Sequence, residues 1–72
     1  MQKVDIDKEP IELYKILKFE GLVASGGEAK AAVAQGLVKL NGKVELQKRK
    51  KVMSGDVVEF GGNEILIQSS NT

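Results

Sequence analysis

Gly36 divides this chain into two kinds of pattern. Before it, apolar residues recur at helical spacing: Leu13, Ile16 and Leu17 with Phe19 beside them, then Ala29, Ala32 and Val33. After it they alternate, with Val38 and Leu40 flanking Lys39, and Val44 and Leu46 flanking Glu45. A period near 3.6 that gives way to a period of two marks helices followed by strands. In 72 residues, that order predicts a small α+β domain.

Local signals set the boundaries. Val4 and Ile6 alternate with aspartates in VDID, which reads as a short strand before the helices. Pro10 suits the first turn of helix one, where its missing N–H costs nothing, and Gly21 is its expected stop. Ser25-Gly26-Gly27-Glu28 has the S-x-x-E form of a capping box, with Ser25 at the N-cap of helix two and Glu28 three residues on. The alanine-rich EAKAAVAQ that follows favours helix. Asn41-Gly42 predicts a tight hairpin of type I′, which needs positive φ at both central residues. Ser54-Gly55-Asp56 marks a further turn, and Gly61-Gly62-Asn63 separates the strands VVEF and EILIQ. No repeat or linker divides the chain, so residues 1–72 read as one domain with a frayed tail at 69–72.

Composition removes several classes of function. The chain has no histidine and no cysteine, so it lacks the usual imidazole base, the thiol nucleophile and the commonest metal ligands. No pair of carboxylates has a spacing that argues for acid–base work. The SGGEAK segment lacks the spacing of either glycine-rich nucleotide motif. Neither an enzyme nor a cofactor nor a metal is expected. No apolar run approaches the length of a membrane span, and MQKVDIDKEP has no apolar stretch of the signal-peptide kind. A soluble, cytoplasmic, monomeric domain is the expectation, although missing cysteines only permit that compartment.

Charge is polarised rather than abundant. Residues 1–29 carry four basic and six acidic side chains, 30–51 seven basic and one acidic, and 52–72 three acidic and none basic. QKRKK at 47–51 sets Lys48, Arg49, Lys50 and Lys51 side by side in a chain of net charge +1. Such a segment creates a local positive field whatever the total. Lys15 and Lys18 are neighbours on helix one, Lys30 lies beside the buried stripe of helix two, and Lys39 points away from Val38 and Leu40. Cations that reach outward from a rigid base suit phosphate oxygens. A solvated lysine-rich loop is the bland alternative for QKRKK, as plain capping and turn formation are for Ser25-Gly26-Gly27 and Asn41-Gly42. Tyr14, Phe19 and Phe60 are too few for a base-stacking platform. Phe19 and Phe60 are expected in the core, while Tyr14 is ambiguous. The pattern points to backbone and shape recognition of folded RNA.

The ordered series has a familiar form. Helix one ending at a glycine, Ser25 before helix two, Glu28-Ala29-Lys30, Gly36-Leu37-Val38, Leu40-Asn41-Gly42-Lys43 and Val52 followed by Gly55-Asp56-Val57-Val58 together resemble the S4-type RNA-binding domain. That module occurs in ribosomal protein S4, pseudouridine synthases and a heat-shock RNA-binding protein. The match spans residues 13–60, and the chain resembles the small stand-alone S4-like proteins of bacteria. The resemblance implies two helices packed on a small, bent, mainly antiparallel sheet (the αL motif). It also implies binding of structured RNA, often ribosomal, with a ribosomal or RNA-processing protein as a further partner. Carried over by position, the RNA face comprises Ser25, Gly27, Lys30, Lys39, Asn41, Lys43 and the 48–51 cations, to which Lys15 and Lys18 add charge. Many S4 domains read Ser-Arg-Ser-Glu-Ala-Arg where this chain has Ser25-Gly26-Gly27-Glu28-Ala29-Lys30. The first arginine is absent and the second is replaced by lysine, which shifts weight to the 48–51 cluster.

Two other classes compete. A basic protein-interaction module docking on an acidic partner would show the same charge. SGDVVEFGG also resembles the end of ubiquitin-like sulfur carriers, but those need the glycine pair at the C-terminus, and here NEILIQSSNT follows. Their order of elements differs as well.

Overall fold

The computed structural model describes residues 2–69. Seven strands and two helices follow in the order β1 (Gln2–Ile6), β2 (Ile11–Glu12), α1 (Leu13–Phe19), α2 (Gly26–Ala34), β3 (Val38–Leu40), β4 (Lys43–Val44), β5 (Lys51–Val52), β6 (Val57–Phe60) and β7 (Asn63–Ser69). One sheet has the order β1-β7-β6-β3-β4, and β2 pairs with β5 in a separate ribbon. All pairings are antiparallel except that of β1 with β7. The α+β architecture with a mainly antiparallel sheet is as expected.

Both helices end as their sequences direct. Each closes on a glycine with positive φ, Gly21 at 70° and Gly36 at 77°. After α1, Gly21 N–H donates to Lys18 O and Leu22 N–H to Leu17 O. After α2, Gly36 N–H donates to Val33 O and Leu37 N–H to Ala32 O. These paired bonds form the Schellman motif, which occupies carbonyls that a helix end leaves open. At the start of α2, Ser25 Oγ accepts from Glu28 N–H at 3.2 Å. The return bond runs from Ala24 N–H to Glu28 Oε2, one residue earlier than in the standard box.

The core lies between the helices and one face of the larger sheet. Leu13, Ile16 and Leu17 of α1 meet Ala29, Ala32 and Val33 of α2, and beneath them lie Val38, Val58, Ile65 and Ile67. The small Ala29 and Ala32 let the helices approach closely, as alternation in β7 turns Ile65 and Ile67 inward together. Val52 of the short ribbon is fully buried against the same cluster.

Four expectations need correction. Pro10 does not open α1: it follows Glu9 in a cis peptide and precedes β2, and the N-cap is Glu12. Phe19 is 65% exposed, not core, whereas Phe60 packs partly against the cluster. Val44 and Leu46 do not form an inward face, since β4 is two residues long and both side chains are about half exposed or more, at 52% and 61%. Ser69 is paired with Ile6 in the sheet, not frayed, and residues 70–72 lie outside the described residues.

Glu9 joins the segment before β2 to the turn before β6, where its carboxylate accepts from Ser54 N–H. Hydrogen bonding from the Ser54 side chain, then from its backbone N–H, holds the Glu9 carboxyl below its ordinary value. A group depressed on folding stabilises the fold above its unfolded pKa and loses that contribution as pH falls through the folded value. Glu9→Ala should therefore lower the melting temperature at neutral pH, and the gap from the unaltered protein should close in acid. Thermal melts between pH 7 and pH 2 check this.

Candidate nucleic-acid interface

The basic segment is tied to α1. As a seven-residue helix with no side-chain cap, α1 must satisfy its first N–H groups elsewhere. Leu13 N–H donates to Lys50 O at 2.9 Å and Tyr14 N–H to Lys48 O at 3.1 Å. Lys50 N–H closes the intervening turn on Gln47 O, and Lys51 and Val52 continue as β5 against β2. The Lys48 and Lys50 carbonyls are thus committed to the helix while the side chains of the turn stay exposed. Among the described residues Lys15 is the one cation within ion-pair distance of a carboxylate, so Lys48, Arg49 and Lys50 have no acidic partner. Exposed cations on an anchored backbone fit the recognition of phosphate oxygens.

The twelve residues expected to contact RNA fall into three groups. Around the α1–α2 contact lie Lys18, Ser25, Gly27, Lys30, Lys48, Arg49 and Lys50. Gly27 has room, since a Cβ there would meet only Ser25 Oγ, at 3.8 Å. Lys30 is half-buried, with Nζ 4.9 Å from the centre of the Tyr14 ring. Lys18 is exposed one turn on from Tyr14.

The second group belongs to the β3–β4 hairpin. Lys39 is exposed opposite Glu59 of β6 and Val44 of β4, and Lys43 is exposed opposite Leu40. Asn41 and Gly42 have φ of 53° and 84°, the expected pair of positive values. The Asn41 side chain is occupied within the fold: Nδ2 donates to Asp56 Oδ1 at 3.0 Å, and Oδ1 accepts from Val57 N–H at 2.8 Å.

Lys15 and Lys51 form the third group, on the wall of a groove of about 450 Å³ between β1 and α1. Lys15 pairs with Glu12 at 3.4 Å, and Glu12 is also the cross-strand partner of Lys51. Asp5, Asp7 and Glu20 line the same groove together with Lys8, so these two lysines stand on a surface of mixed charge. QKRKK is therefore divided: its first three cations lie in the turn bonded to α1, and its last lies in β5 across from Glu12, on the groove.

Tyr14 joins the parts that sequence left separate. Its N–H binds the basic turn, its ring underlies Lys30, and its Cε2 lies 3.9 Å from where a Cβ on Gly26 would stand. The one local sign of this role is its i, i+4 relation to Lys18; the contacts with Gly26, Lys30 and Lys48 are long-range.

Comparison with known proteins agrees with this geometry. The S4 domain model matches residues 4–68. The chain is 41% identical over 68 residues to "Putative RNA-binding protein YbcJ" of Escherichia coli K12, covering 93% of this chain and 97% of that protein. It is 36% identical over 59 residues to "Probable ribosome maturation protein RlbA" of Bacillus subtilis 168, covering 82% and 83%. Among solved structures, the solution structure of Escherichia coli YbcJ, described as revealing an αL motif involved in RNA binding, matches with a TM-score of 0.71 at 40% identity. It covers 94% of this chain and 87% of that one. The glycine-closed helices, the Asn41-Gly42 hairpin and the family match over nearly the whole chain agree: this protein belongs to the S4 domain family.

Proposed function

We propose that this chain binds structured RNA through the phosphate backbone, as a single non-catalytic domain acting as a monomer in the cytoplasm. The face runs from the start of α2 across Tyr14 to the 48–50 turn, with the β3–β4 hairpin cations at its margin. The observation that carries this reading is the turn itself: three adjacent cations with no acidic partner among the described residues, on a backbone hydrogen-bonded to α1. The name of the YbcJ relative supports RNA as the ligand, and that of the RlbA relative, a probable ribosome maturation protein, supports a ribosomal setting. Lys15 and Lys51 add only to the long-range field, and Ser25 and Asn41 act through the fold.

Fluorescence anisotropy against labelled fragments of structured ribosomal RNA, with duplex DNA as control, tests the proposal. Binding that favours RNA and weakens with salt is expected, with a log–log slope of about −0.7 to −0.9 per phosphate neutralised. No binding at low salt would make the basic face a protein-docking surface. In that case partners captured on the protein would survive nuclease treatment.

A further inference from the structure

Of the seven cations between residues 30 and 51, Lys30 alone is half-buried; the other six are exposed. Its ammonium is held over the Tyr14 ring, with Nζ 4.9 Å from the ring centre. Tyr14 is in turn fixed by the fold. The ring packs against the core cluster, Cε2 stands 3.9 Å from where a Cβ on Gly26 would lie, and the backbone N–H donates to Lys48 O. A lysine elsewhere on this surface samples many rotamers, whereas Lys30 has its stem laid down and its charge placed by the negative face of an aromatic ring.

An ammonium over a ring keeps N–H donors directed away from it, so the contact does not consume the cation's capacity for a phosphate oxygen. The ring that places Lys30 also belongs to the residue whose N–H anchors the 48–50 turn. Lys30 and the turn therefore share a support.

We propose that Tyr14 is a positioning residue for RNA binding: its ring holds the Lys30 ammonium in register with Lys48, Arg49 and Lys50, so the four cations meet the RNA backbone as one preset array. This rests on the RNA-binding reading above. The gain comes from ordering before binding, since a cation fixed in advance loses less freedom on contact. The ring is the working part and the hydroxyl is not.

The test is a double-mutant cycle on affinity for a fluorescein-labelled ribosomal RNA stem-loop, with a salt series and a thermal melt for each protein. Tyr14→Leu keeps an apolar side chain but removes the ring, and should weaken binding about fivefold. Tyr14→Phe should bind as the unaltered protein does. Lys30→Ala should reduce the salt slope by about 0.7–0.9, and adding Tyr14→Leu to it should cost little more. An equal loss from Tyr14→Leu with and without Lys30→Ala would overturn the proposal, because the ring would then act independently of Lys30. Failure of Tyr14→Phe to bind normally would overturn it too, by assigning the effect to the hydroxyl. A loss that follows the melting temperature in all variants would reduce Tyr14 to a packing residue. If the unaltered protein binds the stem-loop and Tyr14→Leu changes nothing, the role of Tyr14 alone falls. If the unaltered protein shows no salt-dependent binding, the RNA reading falls and takes this role with it.

Discussion

Reversing Lys48, Arg49 and Lys50 together to glutamate should lower affinity for structured RNA by about a hundredfold or more at physiological salt, and reduce the log–log salt slope by roughly two to three units. The melting temperature should hardly move. These side chains are exposed and have no acidic partner among the described residues, and surface substitutions of that kind usually stay within about 0.5 kcal/mol. What the turn contributes to the fold is main-chain: the Lys48 and Lys50 carbonyls that accept from Tyr14 and Leu13 remain whatever side chains stand there. Lys51→Glu is the internal comparison. That side chain lies on the β1–α1 groove, whose Asp5, Asp7, Glu12 and Glu20 offset Lys8 and Lys15, so its reversal should cost less affinity than reversing any of the other three. Anisotropy titrations at several salt concentrations, with melts of the same samples, measure both effects. Affinity retained within threefold by the triple variant would place the RNA site elsewhere.

The division inside QKRKK shows which features the sequence carried. Those legible in advance are written within a few residues of where they act. Ser25 and Glu28 cap α2 across one turn, Gly21 and Gly36 close their helices through a backbone conformation that glycine adopts without strain, and Asn41-Gly42 supplies both positive φ values of its turn. Contacts across the chain left no such mark. Pro10 looked like a helix opener because it tolerates a first turn, yet the first N–H groups of α1 are served by carbonyls of Lys48 and Lys50. Phe19 joined the apolar stripe by spacing, but it falls at the stripe's edge, over the groove beside β1. The parallel pairing of β1 with β7 joins the two ends of the chain, and no short-range pattern announces it. The cationic segment is legible as composition; its partition between the turn bonded to α1 and the groove beside β1 is written in the fold.

Asn41 separates turn chemistry from tertiary chemistry. By turn preference alone, Asn41→Asp is a mild change, because Asp-Gly forms type I′ hairpins readily. The fold predicts otherwise. The Asn41 amide donates to Asp56 Oδ1 at 3.0 Å, and the other carboxylate oxygen of Asp56 accepts from Met53 N–H at 2.9 Å. An aspartate at 41 would replace that donor with a second carboxylate at hydrogen-bond distance from the first. The expected cost is about 2 kcal/mol, from a lost charge-assisted bond and the new repulsion. For a chain this short, whose total stability is expected near 4–11 kcal/mol, that is a large share, and the melting temperature should fall by about 10 °C. Asn41→Gly keeps the positive φ but loses the bonds to Asp56 and Val57, and should cost about 1–2 kcal/mol. Denaturant titrations of the two variants beside the unaltered protein check the order of these losses. If Asn41→Gly is folded and binds RNA normally, Asn41 acts by clamping the hairpin to the turn at Asp56. A folded glycine variant that has lost affinity would instead return Asn41 to the RNA face.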